Sequence, residues 1–249
     1  MNYTTKSVSM VLFDKPKKRG EVPQGAPELA AKGDECIRRG DFKAAIAWFD
    51  AALNKDSHLA HAYAGKGLAL RNCGKNTEAL ECYTKALELD PGKEGIWHKK
   101  GVALNAIGKH REALTCFDTA LQKDLLCEDA WYDKGITYGS TGEYQKAVDC
   151  FDKVLEINPD NADAWFNRGR ALGKMEKFPE AVESFDHALA LQQGNADAWY
   201  YKGISCVNLR KIAEAYSCFE KAVGINPGHK KAVAGKKELT INLERMKKK

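Results

Sequence analysis

The sequence predicts an all-α array of helical hairpins, and three observations predict it. Glycine recurs every 34 residues, at Gly33, Gly67, Gly101, Gly135, Gly169 and Gly203. Four positions before each stands a large apolar residue: Leu29, Tyr63, Trp97, Trp131, Trp165 and Trp199. Twelve positions after it comes alanine (Ala45, Ala79, Ala113, Ala147, Ala181, Ala215), and sixteen after it an aromatic (Phe49, Tyr83, Phe117, Phe151, Phe185, Phe219). Six copies follow one another without an insertion or deletion, a fixed period of the size that marks stacked repeats.

Within one unit, the segment around the glycine reads as a first helix. A turn follows near Gly40, Gly74, Gly108 or Gly142, and the second helix carries the alanine and the aromatic. Glycine inside a helix costs about 1 kcal/mol relative to alanine, so its recurrence requires a compensating contact. The expectation is close approach of the glycine to the small residues nineteen positions on: Ala52, Ala86, Ala120, Val154, Ala188 and Ala222. Pro91, Pro159 and Pro227 mark the end of the second helix, because proline cannot donate the next intrahelical bond and restrains the residue before it.

Taken in order, residues 1–25 fall outside the period and read as an irregular basic leader, with a short apolar patch followed by Lys15, Pro16, Lys17, Lys18 and Arg19. Repeats follow at 26–59, 60–93, 94–127, 128–161, 162–195 and 196–229, the first opening near Pro27. A last helix over 230–246 is expected to turn Ala232, Val233, Leu239 and Leu243 toward the sixth repeat. Lys230, Lys231, Lys237, Glu244 and Arg245 would face water, which makes it a solvating cap. Residues 247–249 are expected to fray.

The aromatic-x2-[K/R]-G spacing, the alanine and aromatic offsets, and the proline at a repeat's end together resemble the tetratricopeptide repeat (TPR) family. The resemblance runs from Ala26 to Pro227. It implies a right-handed α-solenoid superhelix whose concave surface is lined by the first helices, and it implies protein or peptide partners. The chain departs from the pattern at Leu29, at Ser57, Leu125 and Gln193 in the proline slot, and at Glu176 and Arg210 in the turn-glycine slot. TPR modules that grip the acidic C-termini of chaperones use a basic and asparagine cluster on three successive repeats. Only Asn167 matches that cluster here, so a carboxylate-clamp chaperone ligand is not expected.

The whole-chain composition narrows the function. The 249 residues carry a net charge of +5, but residues 1–26 hold five basic side chains against two acidic, and residues 228–249 hold eight against two. The array between is therefore net acidic, at about −4. Basic character confined to two ends argues against a nucleic-acid track. Eight cysteines include no C-x-x-C. Cys82, Cys116, Cys150 and Cys218 occupy equivalent slots of different repeats, and packed helices are spaced too widely for a disulfide between such slots. They read as small apolar filler, and free thiols with no secretory signal predict a reducing, cytoplasmic setting. No P-loop, G-x-S-x-G, H-E-x-x-H or dinucleotide fingerprint occurs, so neither enzyme chemistry nor a cofactor or metal is expected.

Two surface patterns remain. A basic residue precedes each glycine (Lys32, Lys66, Lys100, Lys134, Arg168, Lys202), and a mainly acidic residue follows each aromatic (Asp50, Thr84, Asp118, Asp152, Asp186, Glu220). The two ladders fit either pairing within or between units, or a basic phosphate-binding track; pairing is preferred because they share one register. On the first helices, the residue after each large anchor should face the concave side: Ala30, Ala64, His98, Tyr132, Phe166 and Tyr200. Its neighbours Lys99, Asp133, Asn167 and Tyr201, with Arg170 one turn on, complete the expected partner-binding set of repeats three to six. Broad rings with polar tips suit peptide recognition; the competing reading is that the rings pack against adjacent helices. The expected function is a protein-interaction adaptor, monomeric or weakly self-associating. A self-assembling structural protein is the alternative, and a nucleic-acid-associated factor using the basic ends is a more distant one.

Overall fold

The computed structural model describes residues 25–247, with side chains through Ile241 except that of Glu94. The leader expected over residues 1–24, the placement of Leu243, Glu244 and Arg245, and the tail at 248–249 lie outside what is described.

Thirteen helices follow one another, and no strand occurs among the described residues. They form six hairpins, α1 (Ala26–Arg38) with α2 (Phe42–Lys55), α3 (Ala60–Asn72) with α4 (Asn76–Leu89), and α5 (Glu94–Ala106) with α6 (His110–Lys123). Then come α7 (Glu128–Thr141) with α8 (Tyr144–Ile157), α9 (Ala162–Lys174) with α10 (Phe178–Leu191), and α11 (Ala196–Asn208) with α12 (Ile212–Ile225), before the final α13 (Lys230–Lys247). Each helix packs on the next, and first helices also touch the first helices of the following repeat: α1 on α3, α3 on α5, α5 on α7, α7 on α9, α9 on α11. Among the described residues no second helix packs comparably on the next second helix. A stack held closer along one row bends toward that row, so the first helices line the inner side. The chain is an all-α solenoid.

The glycine compensation differs from the sequence expectation. A Cβ added at Gly135 would stand 2.8 Å from the Phe151 ring, and the equivalent distances at Gly33, Gly67, Gly101, Gly169 and Gly203 to their own aromatics are 2.6–2.7 Å. The glycine therefore accommodates the ring sixteen positions on, not the small residue nineteen positions on. Those rings are the largest fully or almost fully buried side chains among the described residues. Phe49 and Phe219 are also covered from the following unit, by Gly65 and Gly235.

In repeat two the ring is Tyr83, wholly buried, and its hydroxyl has no hydrogen-bond partner among the described residues. Burial drives its phenol pKa up to about 12. Five repeats fill the same slot with phenylalanine, so Tyr83→Phe keeps the packing and removes a stranded polar atom. Thermal and urea unfolding should show the variant more stable by about 1 kcal/mol.

The helix ends explain the tolerated departures. Gly40, Gly74, Gly108 and Gly142 close the first helices at φ of 77° to 84°. Glu176 and Arg210 take the same left-handed turn at φ 60° and 59°, and the bonding is conserved: Asp41, Lys177 and Lys211 donate their N–H to the carbonyls of Cys36, Leu172 and Cys206. The docking of both helices imposes that turn on residues for which it costs about 1–2 kcal/mol. After allowing for the greater freedom of an unfolded glycine, Glu176→Gly and Arg210→Gly should each stabilise by about 0.5–1 kcal/mol in chemical denaturation.

At the other end of the unit, the indole N–H of Trp97, Trp131, Trp165 and Trp199 donates to the carbonyl six residues earlier, on Pro91, Leu125, Pro159 and Gln193, at 2.9–3.3 Å. The junction uses that residue's carbonyl, which every residue has, so leucine or glutamine serves where proline is missing.

The two charge ladders pair across junctions. Lys66, Lys134, Arg168, Lys202 and Lys236 reach Asp50, Asp118, Asp152, Asp186 and Glu220 of the preceding unit at 2.6–2.8 Å. Lys100 faces the slot held by Thr84 and lies over the Trp97 ring instead. Each exposed pair contributes about 0–1 kcal/mol; together they set register. Arg168 also donates to Ser184, which is buried in the slot that Cys82, Cys116, Cys150 and Cys218 occupy elsewhere. Those four thiols are buried along with Cys36 and Cys206, whereas Cys73 is exposed and Cys127 half-buried. Burial lifts the Cys150 thiol to about 11, in keeping with a role as filler.

On α13, Ala232 and Leu239 are buried against the sixth hairpin, but Val233 is 42% exposed and does not join them. Gly235 meets Phe219 in its place. Valine one position after a buried alanine is turned about 100° away on a helix, which is why the expectation failed there.

Candidate functional site

The inner row of rings sits where the first helices place them, half-buried. Tyr132 (α7) lies edge-on to Phe151 at 5.8 Å, Phe166 (α9) tilts against Phe185 at 6.1 Å, and Tyr200 (α11) against Phe219 at 5.9 Å. Each inner ring thus rests on the aromatic of its own hairpin and leaves its outer edge open. Burial raises the pKa of the Tyr132 and Tyr200 phenols, so both keep their hydroxyl hydrogen at neutral pH.

Neighbouring side chains tie this row together. Asn167 donates to the Tyr132 hydroxyl and to the Asp163 carbonyl, both at 2.9 Å. Its Oδ1 accepts from Arg170 Nη1 at 3.1 Å. The Arg170 guanidinium lies 5.6 Å from the Phe166 ring and 5.5 Å from the Tyr201 ring, a cation held by two aromatic faces. Tyr201 in turn stacks on Phe185 and meets Phe166 and Tyr200. Tyr132, Phe166, Asn167, Arg170, Tyr200 and Tyr201 therefore form one connected surface over repeats four to six. His98 and Asp133 make a separate contact at 2.7 Å between α5 and α7, with the His98 ring against Phe117. Lys99, half-buried on α5, joins neither group.

The connected surface borders a cavity of about 430 Å³ between α7, α9, α11 and α13. Its lining adds Ile136, which stands in the same slot of repeat four as Arg170 in repeat five, and Gly139, Ser140, Tyr144, Lys174 and Lys231, which the sequence did not single out for binding. Lys174 was within reach of sequence reasoning, one turn beyond Arg170 on the same face. Tyr144 and Lys231 come from a second helix and from the cap, and no spacing rule points to them.

Models of the tetratricopeptide repeat match residues 128–161, 150–183 and 196–229, and a model of the N-terminal TPR repeats region of Psidin matches residues 35–134. The chain belongs to the TPR family. A 53-residue stretch of this TPR chain is 40% identical to the probable UDP-N-acetylglucosamine–peptide N-acetylglucosaminyltransferase SPINDLY of Arabidopsis thaliana. That stretch is 21% of the chain and only 6% of the length of that relative. Among solved structures, YrrB, described as a TPR protein with an unusual peptide-binding site, is 25% identical. It superposes with a TM-score of 0.67 over 76% of this chain and 97% of its own. The Pseudomonas aeruginosa protein pilF is similar in fold, with a TM-score of 0.74 at 19% identity, over 86% of this chain and 97% of pilF. The architecture is that of a protein–protein interaction scaffold. No helix among the described residues is long and apolar enough to cross a membrane.

Proposed function

We propose that this TPR chain is an adaptor that holds an extended or helical segment of a partner protein against the inner faces of repeats three to six. The supporting observation is the connected surface of Tyr132, Phe166, Tyr200 and Tyr201, whose half-buried rings are propped by the buried aromatics Phe151, Phe185 and Phe219. Such rings are fixed before a partner arrives, which lowers the ordering cost of the interface. His98, Lys99, Asp133, Asn167 and Arg170 supply the polar contacts along the same track.

Because Tyr132 and Phe166 also pack against Phe151 and Phe185, alanine at both positions will lower stability along with binding. A cleaner experiment places p-benzoylphenylalanine at Tyr200, or at Glu183 on the exposed side of α10, and illuminates the intact chain with peptides selected from a random 12-residue display library. Peptides should crosslink from position 200 and not from position 183. Recovery of no peptide, or crosslinking only from position 183, overturns the groove reading.

A further inference from the structure

We propose that the cavity between α7, α9, α11 and α13 receives an anionic side chain of the bound segment, a proposal that rests on the groove reading above. Every charged side chain that lines the cavity is a cation: Arg170, Lys174 and Lys231. This runs against composition, because the repeat array is net acidic. It also runs against the habit of the fold, which couples Lys66, Lys134, Arg168, Lys202 and Lys236 to carboxylates of the preceding unit. Arg170, Lys174 and Lys231 have no carboxylate partner among the described residues. Two acids of the first helices, Asp133 and Asp197, are already engaged, by His98 and His229. Asp163 lies at the start of α9, about 10 Å along the helix from Arg170.

Arg170 is also preorganised. Its guanidinium lies beside two rings and donates to the Asn167 carbonyl, and only one of its five N–H groups is spent on that bond. A guanidinium so placed without a counter-charge presents a fork that matches a carboxylate or a phosphoryl group. Lys174 stands one turn further along α9, and Lys231 closes the far side from the cap. Three like charges around one space repel one another, and an anion placed among them removes that repulsion. The volume, about 430 Å³, is within the range of small-ligand sites and suits one or two side chains. The shared chemistry is an anionic group on a peptide side chain, supplied by aspartate or glutamate or by a phosphorylated residue.

The test uses peptides selected on the intact chain as above, with calorimetric titration of three versions of the tightest one: acidic, its Asn/Gln counterpart, and phosphoserine at the same position. Acidic residues should be enriched among selected peptides, and neutralising them should weaken binding at least tenfold to the parent chain. The Arg170→Gln/Lys174→Gln/Lys231→Gln variant should bind acidic and neutral versions alike. Lys174→Gln/Lys231→Gln, which leaves the Arg170 stack intact, should lose part of the discrimination even if the triple variant folds poorly. The tighter of the acidic and phosphorylated versions names the source of the anion. Peptides that bind and crosslink in the groove with no dependence on charge, or a double variant that discriminates as the parent does, overturn the anion site and leave the groove reading standing. Failure to select any peptide overturns both.

Discussion

Phe151→Ala should lower the unfolding free energy by about 3–5 kcal/mol, the range for deleting a buried aromatic ring. The ring is 2% exposed, fits against Gly135 and supports Tyr132 from below. Alanine leaves a void that α7 and α8 cannot close, since each is also held by its neighbour on the other side. In a stacked array, damage is felt first by the unit that carries it and then by its neighbours. Guanidinium unfolding followed by circular dichroism should therefore show a lower midpoint and a broadened or split transition, as the repeats on either side of the fourth unit lose their coupling. A single transition with an unchanged midpoint would mean that the ring is not a keystone of its hairpin.

The reciprocal change, Gly135→Leu, should cost about 1–3 kcal/mol by overpacking the same contact. A Cβ alone would come within 2.8 Å of the Phe151 ring, and leucine adds three further carbons. The gain in helix propensity, about 0.8 kcal/mol, offsets part of the clash and does not remove it. The two substitutions are complementary in volume, so the Gly135→Leu/Phe151→Ala double variant should be less destabilised than the sum of the singles, with a coupling of about 0.5–3 kcal/mol. Simple additivity in denaturant titrations would show that glycine and ring do not share one space. The same pairing at the other repeats predicts the same sign there.

Much of the architecture was legible in the sequence because one rule is written six times. The glycine, the alanine and the aromatic each recur in register, and coincidence of offsets reports a shared environment even where its nature is unknown. What the offsets do not report is direction. Gly135 and Val154 both end up buried, yet the bare face of the glycine points at Phe151, a matter of side-chain orientation across the hairpin. The left-handed turns at Glu176 and Arg210 were hidden for another reason: the docked helices set the backbone there, while local propensity opposes it. Gly235 went unnoticed because the glycine register places Lys237, not residue 235, in the equivalent slot.

The candidate surface divides along similar lines. Tyr132, Phe166, Asn167, Arg170, Tyr200 and Tyr201 were found from their place beside the large anchors, since first-helix residues one turn apart share a face. Their mutual contacts run over repeats four to six, each linking one repeat to itself or to the next. Tyr144 and Lys231 enter the same cavity from outside that row, one from the start of a second helix and one from the cap. The cap breaks the repeat, and there the periodic argument has nothing to extend.

The ion pairs between hairpins carry a consequence for how such a molecule changes size. Each joins residues sixteen apart in the chain and crosses one junction only, as in Asp118 with Lys134 and Asp152 with Arg168. Excision of the fourth unit in phase would bring Asp118 opposite Arg168 and rebuild the lost junction from its flanks. Duplication would do the same. Length is thus adjustable in whole modules at the junctions that carry this pair, and a longer or shorter sibling cut there keeps the same clasp; only the junction of Thr84 with Lys100 lacks it among the described residues.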